Sequence, residues 1–242
     1  MMLGERPFSQ LARVYDAVTD DVDYDDWASF ILETVTALGW QGRTVLDLGC
    51  GTGNSSYPFA LRGYDITGLD ASPDMLAIAR GKLPEARFVL GDFSRLRLGR
   101  RFDLVISVFD TLNNLLEPKL FIETATSVRA HLARGGIFMF DVNTTEGLRN
   151  LWESGIVEGW SGEVHYRWEH LFDEDERLAK VIAYCSDLRG QFTEVHVERP
   201  YDPPELRELL LVAGYRTVRI ITYPSGRDAA VDAPRVWVVA AE

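Results

Sequence analysis

At 242 residues, with 46% hydrophobic and 11% aromatic residues, the chain has ample material for a packed core, which excludes a disordered polypeptide and suits one large domain or one domain plus an insertion. Its formal net charge of −12 lacks the basic footprint that grips phosphate backbones, so no nucleic acid is expected as partner and small-molecule chemistry is favoured. Two cysteines, Cys50 and Cys185, have neither metal-ligand nor disulfide spacing, so no metal is expected and a reducing compartment fits.

The chain opens on Met1-Met-Leu-Gly-Glu-Arg-Pro-Phe8, which lacks the apolar core of a signal peptide, and no apolar run approaches the ~20 residues that span a bilayer. The expectation is a cytoplasmic protein without a membrane partner, as a monomer or homodimer. Residues 8–38 are predicted to form two short helices. The first carries Phe8, Leu11, Val14, Tyr15 and Val18 at helical spacing; the second carries Trp27, Phe30, Ile31, Val35 and Leu38 and is closed by Gly39. Between them lies the acidic run Asp20-Asp-Val-Asp-Tyr-Asp-Asp26, either a solvated turn or charge set against the N-terminus of the second helix.

From 44 to 141 short apolar runs alternate with helical stretches, the pattern of a parallel α/β sheet. Strands are predicted at residues 44–48, 65–69, 87–90, 102–108 and 136–141, with helices starting near Ser55, Pro73 and Pro118. Ser72-Pro73-Asp74 opens a helix with an N-cap serine, a proline at the first helical position and an acid against the dipole. Arg134-Gly-Gly136 reads as a stop before the fifth strand. After about residue 150 the pattern changes to strands at 164–171, 178–188 and 191–199 joined by tight turns at 172–177 and Arg189-Gly190, an antiparallel insertion. Asp202-Pro-Pro-Glu205 then opens a helix through Ala213, Gly214 ends it, and strands follow at 216–222 and 235–240. The division expected is a helical cap (1–40), a ligand-binding core (41–149), an antiparallel lid insertion (150–201), and a closing helix and two strands of the core (202–242).

In an open parallel sheet, ligands sit beyond the carboxyl ends of the strands. The loop Gly49-Cys-Gly-Thr-Gly53 follows the first strand there, and its glycines let a ligand approach the main chain. There is no Gly-Lys-Ser/Thr, so it is not a P-loop. Asn54 stands where a dinucleotide fingerprint needs its third glycine, which disfavours a pyrophosphate. Asp47, two residues before the first glycine, would repel a pyrophosphate and suit a cationic ligand. Asp70 ends the second strand, where a carboxylate can accept both ribose hydroxyls. Gly91-Asp92-Phe93 ends the third, where Asp92 could accept from an adenine amino group and Phe93 could lie on the ring.

The segment Val45-Leu-Asp-Leu-Gly-Cys-Gly-Thr-Gly53 resembles the first motif of class I S-adenosylmethionine (SAM)-dependent methyltransferases. Leu69-Asp70, Gly91-Asp92-Phe93 and Phe102-Asp-Leu-Val-Ile-Ser-Val-Phe109 resemble the next three in order and spacing, and Arg134-Gly-Gly-Ile-Phe-Met-Phe140 the family's fifth strand. The resemblance implies a Rossmann-like α/β fold: a seven-stranded, mostly parallel sheet with helices on both faces and its last strand antiparallel, here carrying the antiparallel insertion. It implies SAM as methyl donor and S-adenosylhomocysteine (SAH) as product. It also implies a cofactor site of Asp47, Gly49, Cys50, Gly51, Gly53, Asp70, Ala71, Met75, Gly91, Asp92 and Phe93. A carbonyl near Ser107 or Val108 would accept from the α-ammonium group. Tyr15, in a Tyr-Asp pair with Asp16, either closes over the cofactor or belongs to the core.

The acceptor side is expected from two tracts. Phe109-Asp-Thr-Leu-Asn-Asn-Leu-Leu116 follows the fourth strand, and its polar Asp110, Asn113 and Asn114 could orient an acceptor; it lacks the Asn/Asp-Pro-Pro-Tyr/Phe signature of enzymes that methylate exocyclic amines of bases or glutamine. In the insertion, Glu194, His196 and Glu198 share one strand face. With Arg199 and Tyr201 they resemble a lid of small-molecule N- and O-methyltransferases, including amino-sugar N-methyltransferases. His196 is then either a general base or a structural histidine paired with Glu194. His165 is a second histidine of the insertion, and His131 a charge at a helix end. Trp152, Trp160, Tyr166 and Trp168 could wall an acceptor or pack the insertion on the core. The expected reaction is transfer of a methyl group to a nitrogen or oxygen of a small molecule by in-line displacement. Two rival readings stay open: a nicotinamide-dependent oxidoreductase, which Asp47 and Asn54 oppose, and a non-catalytic SAM-binding regulator.

Overall fold

The computed structural model describes residues 8–152 and 155–242, with the backbone alone described at 151 and 152. Residues 1–7 and the side chain of Trp152 lie outside that description. The first predicted helix is broken in two. A 3-10 turn at Leu11–Arg13 meets the single turn α1 (Tyr15–Val18) at Val14, and the packing of Leu11 and Val14 against another sheet, not helical continuity, sets the path. α2 (Tyr24–Ala37) starts within the acidic run, which supplies its cap and first turn: Asp23 caps it by accepting from Asp26 N at 2.9 Å, and Gly39 closes it with φ +84°.

The core then alternates as expected. β1 (Thr44–Leu48), α3 (Tyr57–Leu61), β2 (Asp65–Asp70), α4 (Pro73–Lys82), β3 (Arg87–Leu90), β4 (Phe102–Ser107), α5 (Pro118–His131) and β5 (Leu132–Asn143) follow in order. β5 begins earlier than its sequence suggests. Arg134-Gly-Gly136 is an irregularity inside the strand, where pairing steps from Phe102↔Leu132 to Leu104↔Ile137 and Gly135 takes φ +75°. α6 (Thr145–Trp152) and β6 (Ile156–Ser161) have no counterpart in the predicted elements. β6 is an edge strand whose Ile156, Val157 and Glu158 are all exposed, so no alternation marks it. β7 (Val164–Asp173), β8 (Leu178–Asp187), β9 (Gly190–Glu198), α7 (Pro203–Val212), β10 (Thr217–Ile221) and β11 (Arg235–Ala241) complete the chain.

Two sheets result. The large one has seven strands in the order β10-β11-β5-β4-β1-β2-β3, parallel except for β11. One apolar layer, with Phe121, Phe138, Phe140 and Leu206, packs α5 and α7 on one face; another, with Phe30, Ile31, Phe59 and Trp237, packs α2 and α3 on the other. The small sheet is an antiparallel meander, β6-β7-β8-β9. Its register places Phe192, Glu194, His196 and Glu198 of β9 opposite Cys185, Ala183, Val181 and Ala179 of β8, so these eight share the face that receives Leu11 and Val14. The order reverses beside β1, whose neighbours are β2 and β4, so a crevice opens past its carboxyl end.

Candidate active site

The glycine loop lies at that crevice. Gly49, Gly51 and Gly53 all take left-handed φ angles, +68°, +51° and +84°. At Gly49 an added Cβ would stand 2.3 Å from Thr111 Cγ2, so the loop after β4 packs directly against it. Gly51 differs: the nearest atom to its added Cβ is Met75 Sδ at 4.0 Å, leaving its main chain open to a ligand. Asp70 spans the crevice, accepting from Gly51 N at 2.9 Å through Oδ2 and from Ser72 N at 2.8 Å through Oδ1. Burial raises its pKa against the pull of these N–H groups. Ala71 is exposed beside it and Met75 is buried beneath. Gly91 N bonds Asp70 O at 3.0 Å, which brings the third predicted acid alongside. Asp92 is exposed, accepts from Ser94 N at 2.8 Å, and is followed by the half-buried Phe93.

Two of the expected contacts, the side chains of Asp47 and Cys50, sit below the crevice rather than in it. Asp47 is 1% exposed, and its Oδ2 accepts from the hydroxyls of Ser55 and Ser56 at 2.6 Å each, so it anchors the far end of the loop instead of presenting its charge. Burial pushes its carboxyl up to about 6. Cys50 is buried, and burial raises its thiol well above the ordinary range, which makes it packing under the loop. Ser107 is fully buried and donates to Leu48 O at 3.0 Å, while the carbonyl of Val108 already accepts from Thr111 Oγ1 at 2.9 Å.

The N-terminal segment straps the loop from above. Asp16 accepts from Thr52 Oγ1 at 2.5 Å and Asn54 Nδ2 at 3.0 Å and pairs with Lys82 Nζ at 2.9 Å. Asn54 is thus a strap contact. Tyr15 is half-buried next to α2's Tyr24; burial first, then the charges of Tyr24 and Asp110, raise its hydroxyl pKa strongly.

On the β4 side the structure assembles a charged cluster in which sequence reasoning named Asp110, Asn113 and Glu198 but missed Asp141 and Arg235. Phe109 and Asp110 both take left-handed φ angles, +61° and +51°, a strained pair for residues with side chains. Asp141, 0% exposed at the end of β5, holds them: its Oδ2 accepts from Asp110 N at 3.3 Å and forms an ion pair with Arg235 Nε at 2.7 Å. Arg235 also reaches Asp110 Oδ1 at 3.0 Å, Asn143 Nδ2 reaches Asp110 Oδ2 at 2.7 Å, and the guanidinium lies over the rings of Trp27 and Phe109. Burial pushes the Asp141 carboxyl up to about 6. Glu198 enters the same cluster from β9, because Arg199 N bonds Asn113 O at 2.8 Å and ties the strand end to the Asp110 loop.

Several residues expected to meet an acceptor are occupied otherwise. Asn113 is 0% exposed; its amide donates to Asn143 O and Arg199 O and its oxygen accepts from Asn143 N, so it forms the floor of the cluster. Arg199 turns to Glu205 at 2.6 Å and stacks over Tyr201. Glu194 accepts the backbone N–H groups of Phe8, Gln10 and Leu11 at 2.8, 2.5 and 2.9 Å, capping the strap. Tyr166 and Trp168 pack in the cluster with Leu11, Val14, Cys185 and Phe192. Trp160 is 71% exposed and lies on His165, which bonds Glu158 at 2.9 Å, so neither lines the crevice. His131 sits at the end of α5, where it accepts from Leu98 N at 3.3 Å.

His196 has the structural neighbours of one reading and the protonation state of the other. It is 6% exposed, stacks on Phe8 with ring centroids 4.3 Å apart, and its Nε2 lies 3.5 Å from Glu194 Oε2. Burial lowers its pKa more than Glu194 raises it, so the ring is neutral near pH 7.

A family profile described as "Methyltransferase domain" matches residues 45–136. The dTDP-3-amino-3,6-dideoxy-alpha-D-glucopyranose N,N-dimethyltransferase of Streptomyces fradiae is 30% identical over 182 residues, 72% of this chain and 70% of that protein. The dTDP-3-amino-3,4,6-trideoxy-alpha-D-glucopyranose N,N-dimethyltransferase of Streptomyces venezuelae is 29% identical over 88% of this chain and 92% of its own length. Among solved structures, a SAM-dependent methyltransferase from Clostridium acetobutylicum superposes with a TM-score of 0.84 at 26% identity, covering 96% of this chain and 97% of that one. Strand order, glycine loop, strand-end acids and relatives agree: the chain belongs to the class I SAM-dependent methyltransferases.

Proposed function

We propose that the protein transfers a methyl group to a nitrogen or oxygen of a small-molecule acceptor held between the strand ends of the core and the inner face of the small sheet. In this reading residues 41–149 bind the donor, 1–40 cap it, 150–201 form a lid, and 202–242 complete the sheet. One observation carries it: the open main chain at Gly51 and the Asp110–Asp141–Arg235 cluster lie at the ends of adjacent strands, so a donor and a polar acceptor would meet there. The relatives named for amino-sugar N,N-dimethylation support a nitrogen acceptor.

The crevice suits SAM: the main chain at Gly51 is open to a ligand, and Asp70 is fixed beside it by the Gly51 N–H. Bound there, SAM supplies a methyl group on a sulfonium that an incoming electron pair displaces in line. The loop backbone would hold the methionine portion, Asp70 the ribose hydroxyls, and Asp92 with Phe93 the adenine. Tyr15 and Asp16 would close the strap and exclude water, leaving alignment as the main source of acceleration. Neutral His196 would serve a hydroxyl acceptor as base; an amine acceptor needs none from that position. Among the described residues no helix is long and apolar enough to cross a membrane.

Melting curves with SAM and with NAD test the donor, since a ligand of the native state raises the midpoint. A shift with NAD alone would favour the nicotinamide reading. Release of SAH in the presence of an acceptor separates an enzyme from a SAM-binding regulator. Full activity in His196→Ala would remove the histidine from the reaction.

A further inference from the structure

The Asp110 cluster has more negative charge than its one guanidinium offsets. Arg235 faces three carboxylates: Asp110, Asp141 and Glu198. Two of them are committed. Asp110 has both oxygens engaged, by Arg235 and Asn143, and Asp141 holds the Phe109–Asp110 backbone from a fully buried position. Asp141 still keeps one buried oxygen, Oδ1, without a hydrogen-bond partner among the described residues. Glu198 is the uncommitted carboxylate. It points from the inner face of β9, is partly exposed, and accepts no hydrogen bond from a described residue.

A site with surplus negative charge and idle acceptor oxygens favours a cation that donates hydrogen bonds. A neutral sugar or phenol hydroxyl would leave that charge uncompensated, and an acidic acceptor would add to it. We propose that the acceptor is an amine that arrives as an ammonium ion, that Glu198 binds it and takes its proton, and that Arg235 and Asp141 act as positioning residues for Asp110. The inference rests on the small-molecule acceptor proposed above and selects nitrogen over oxygen. The proton balance is simple. The ammonium loses one proton to the Glu198 carboxylate, and the nitrogen pair released forms the new N–C bond while the C–S pair stays on sulfur. The product is a methylated ammonium, and the proton on Glu198 passes to solvent. Burial and the charge of Asp110 raise the Glu198 pKa to about 8 against the opposing effect of Arg235, so its ionised form is basic enough to take that proton, and an ammonium bound beside it favours the ionised form.

The test uses the full chain with SAM carrying a trideuterated methyl group and a small-molecule extract of the organism that encodes it, read by mass spectrometry. The expected result is label on the nitrogen of a basic amine. With that amine purified, Glu198→Gln should lower kcat/KM by about 100-fold or more, and Glu198→Asp should restore part of the loss, while SAH binds each variant as it binds the wild type. SAH binding and melting temperature report on folding, so a misfolded Gln variant leaves the decision to the Asp variant, whose kcat/KM must fall. Label on oxygen or carbon would overturn the amine inference and leave the small-molecule reading standing. Label on nitrogen with unchanged kcat/KM in either folded variant would overturn the role of Glu198. No labelled small molecule, with SAH still bound, would overturn the reading on which the inference rests.

Discussion

Asp47→Asn changes one atom at a site where burial, not a ligand, governs the carboxyl group. The wild-type group is displaced from an ordinary 3.8 to about 6 because desolvation outweighs the two serine hydrogen bonds. At 1.36 kcal/mol per tenfold change in ionisation constant, that rise corresponds to about 3 kcal/mol. The folded pKa lies above the unfolded one, so the folded state binds the extra proton between about pH 4 and pH 6, and wild-type stability from this group falls as pH rises through that window. Asparagine cannot ionise and lacks the decline. Its carbonyl oxygen can still accept from Ser55 and Ser56, but its amide would fill the place of Oδ1, which has no partner, at a pH-independent cost of roughly 1–3 kcal/mol. Asp141 declines in the same direction in both proteins and cancels. Between pH 4.5 and pH 7.5 about 2 kcal/mol of that difference is lost, so calorimetry at these two pH values should show the variant gaining on the wild type with rising pH, by roughly 4–8 °C at about 2–4 °C per kcal/mol for a chain of this size. Parallel curves for the two proteins would refute the argument that Asp47 is a buried, uncompensated acid.

Three further outcomes follow from the crevice. Gly51→Ala should cost about 1–2 kcal/mol for its left-handed backbone yet fold, and weaken SAM binding by more than about tenfold, whereas Gly49→Ala should lose more stability because its Cβ meets Thr111; equal effects on melting would contradict the packing described. Asp70→Asn removes a charged acceptor of two backbone N–H groups, and titration calorimetry should show SAM binding weakened about 10–100-fold with the fold retained. Glu194→Gln should loosen the strap by roughly 1.5–3 kcal/mol, seen as faster hydrogen exchange at Phe8, Gln10 and Leu11; unchanged exchange there would count against Glu194 as its anchor.

The donor half of the molecule was legible because its signals are local. β1, the glycine loop and the acids at the ends of β2 and β3 each follow from a short run of sequence, and the topology of a parallel sheet brings strand ends together without further information. The acceptor half depends on contacts far apart in the chain. Arg235 stands 125 positions after Asp110, and as the first residue of a C-terminal strand it carries no local mark of the ion pairs it makes. Asp141 likewise reads as the end of an apolar strand. Alternation did place Glu194, His196 and Glu198 on one face, but it could not say that Glu194 meets the backbone of residues 8–11 while Glu198 meets Arg235. Asn113 shows the opposite error: a polar residue in an expected binding tract is consumed by backbone groups of two other segments. β6 escaped notice because an exposed edge strand needs no apolar periodicity.

The strap has two sets of bonds, Asp16 to the glycine loop and the 8–11 backbone to Glu194, and a single short stretch of chain carries both. Free energy released by docking it is therefore common to donor site and small sheet. Whatever steadies the strap on the loop also steadies β9, where His196 and Glu198 stand, and the influence runs equally in reverse. The glycine loop and the small sheet are thus linked through one short segment of chain.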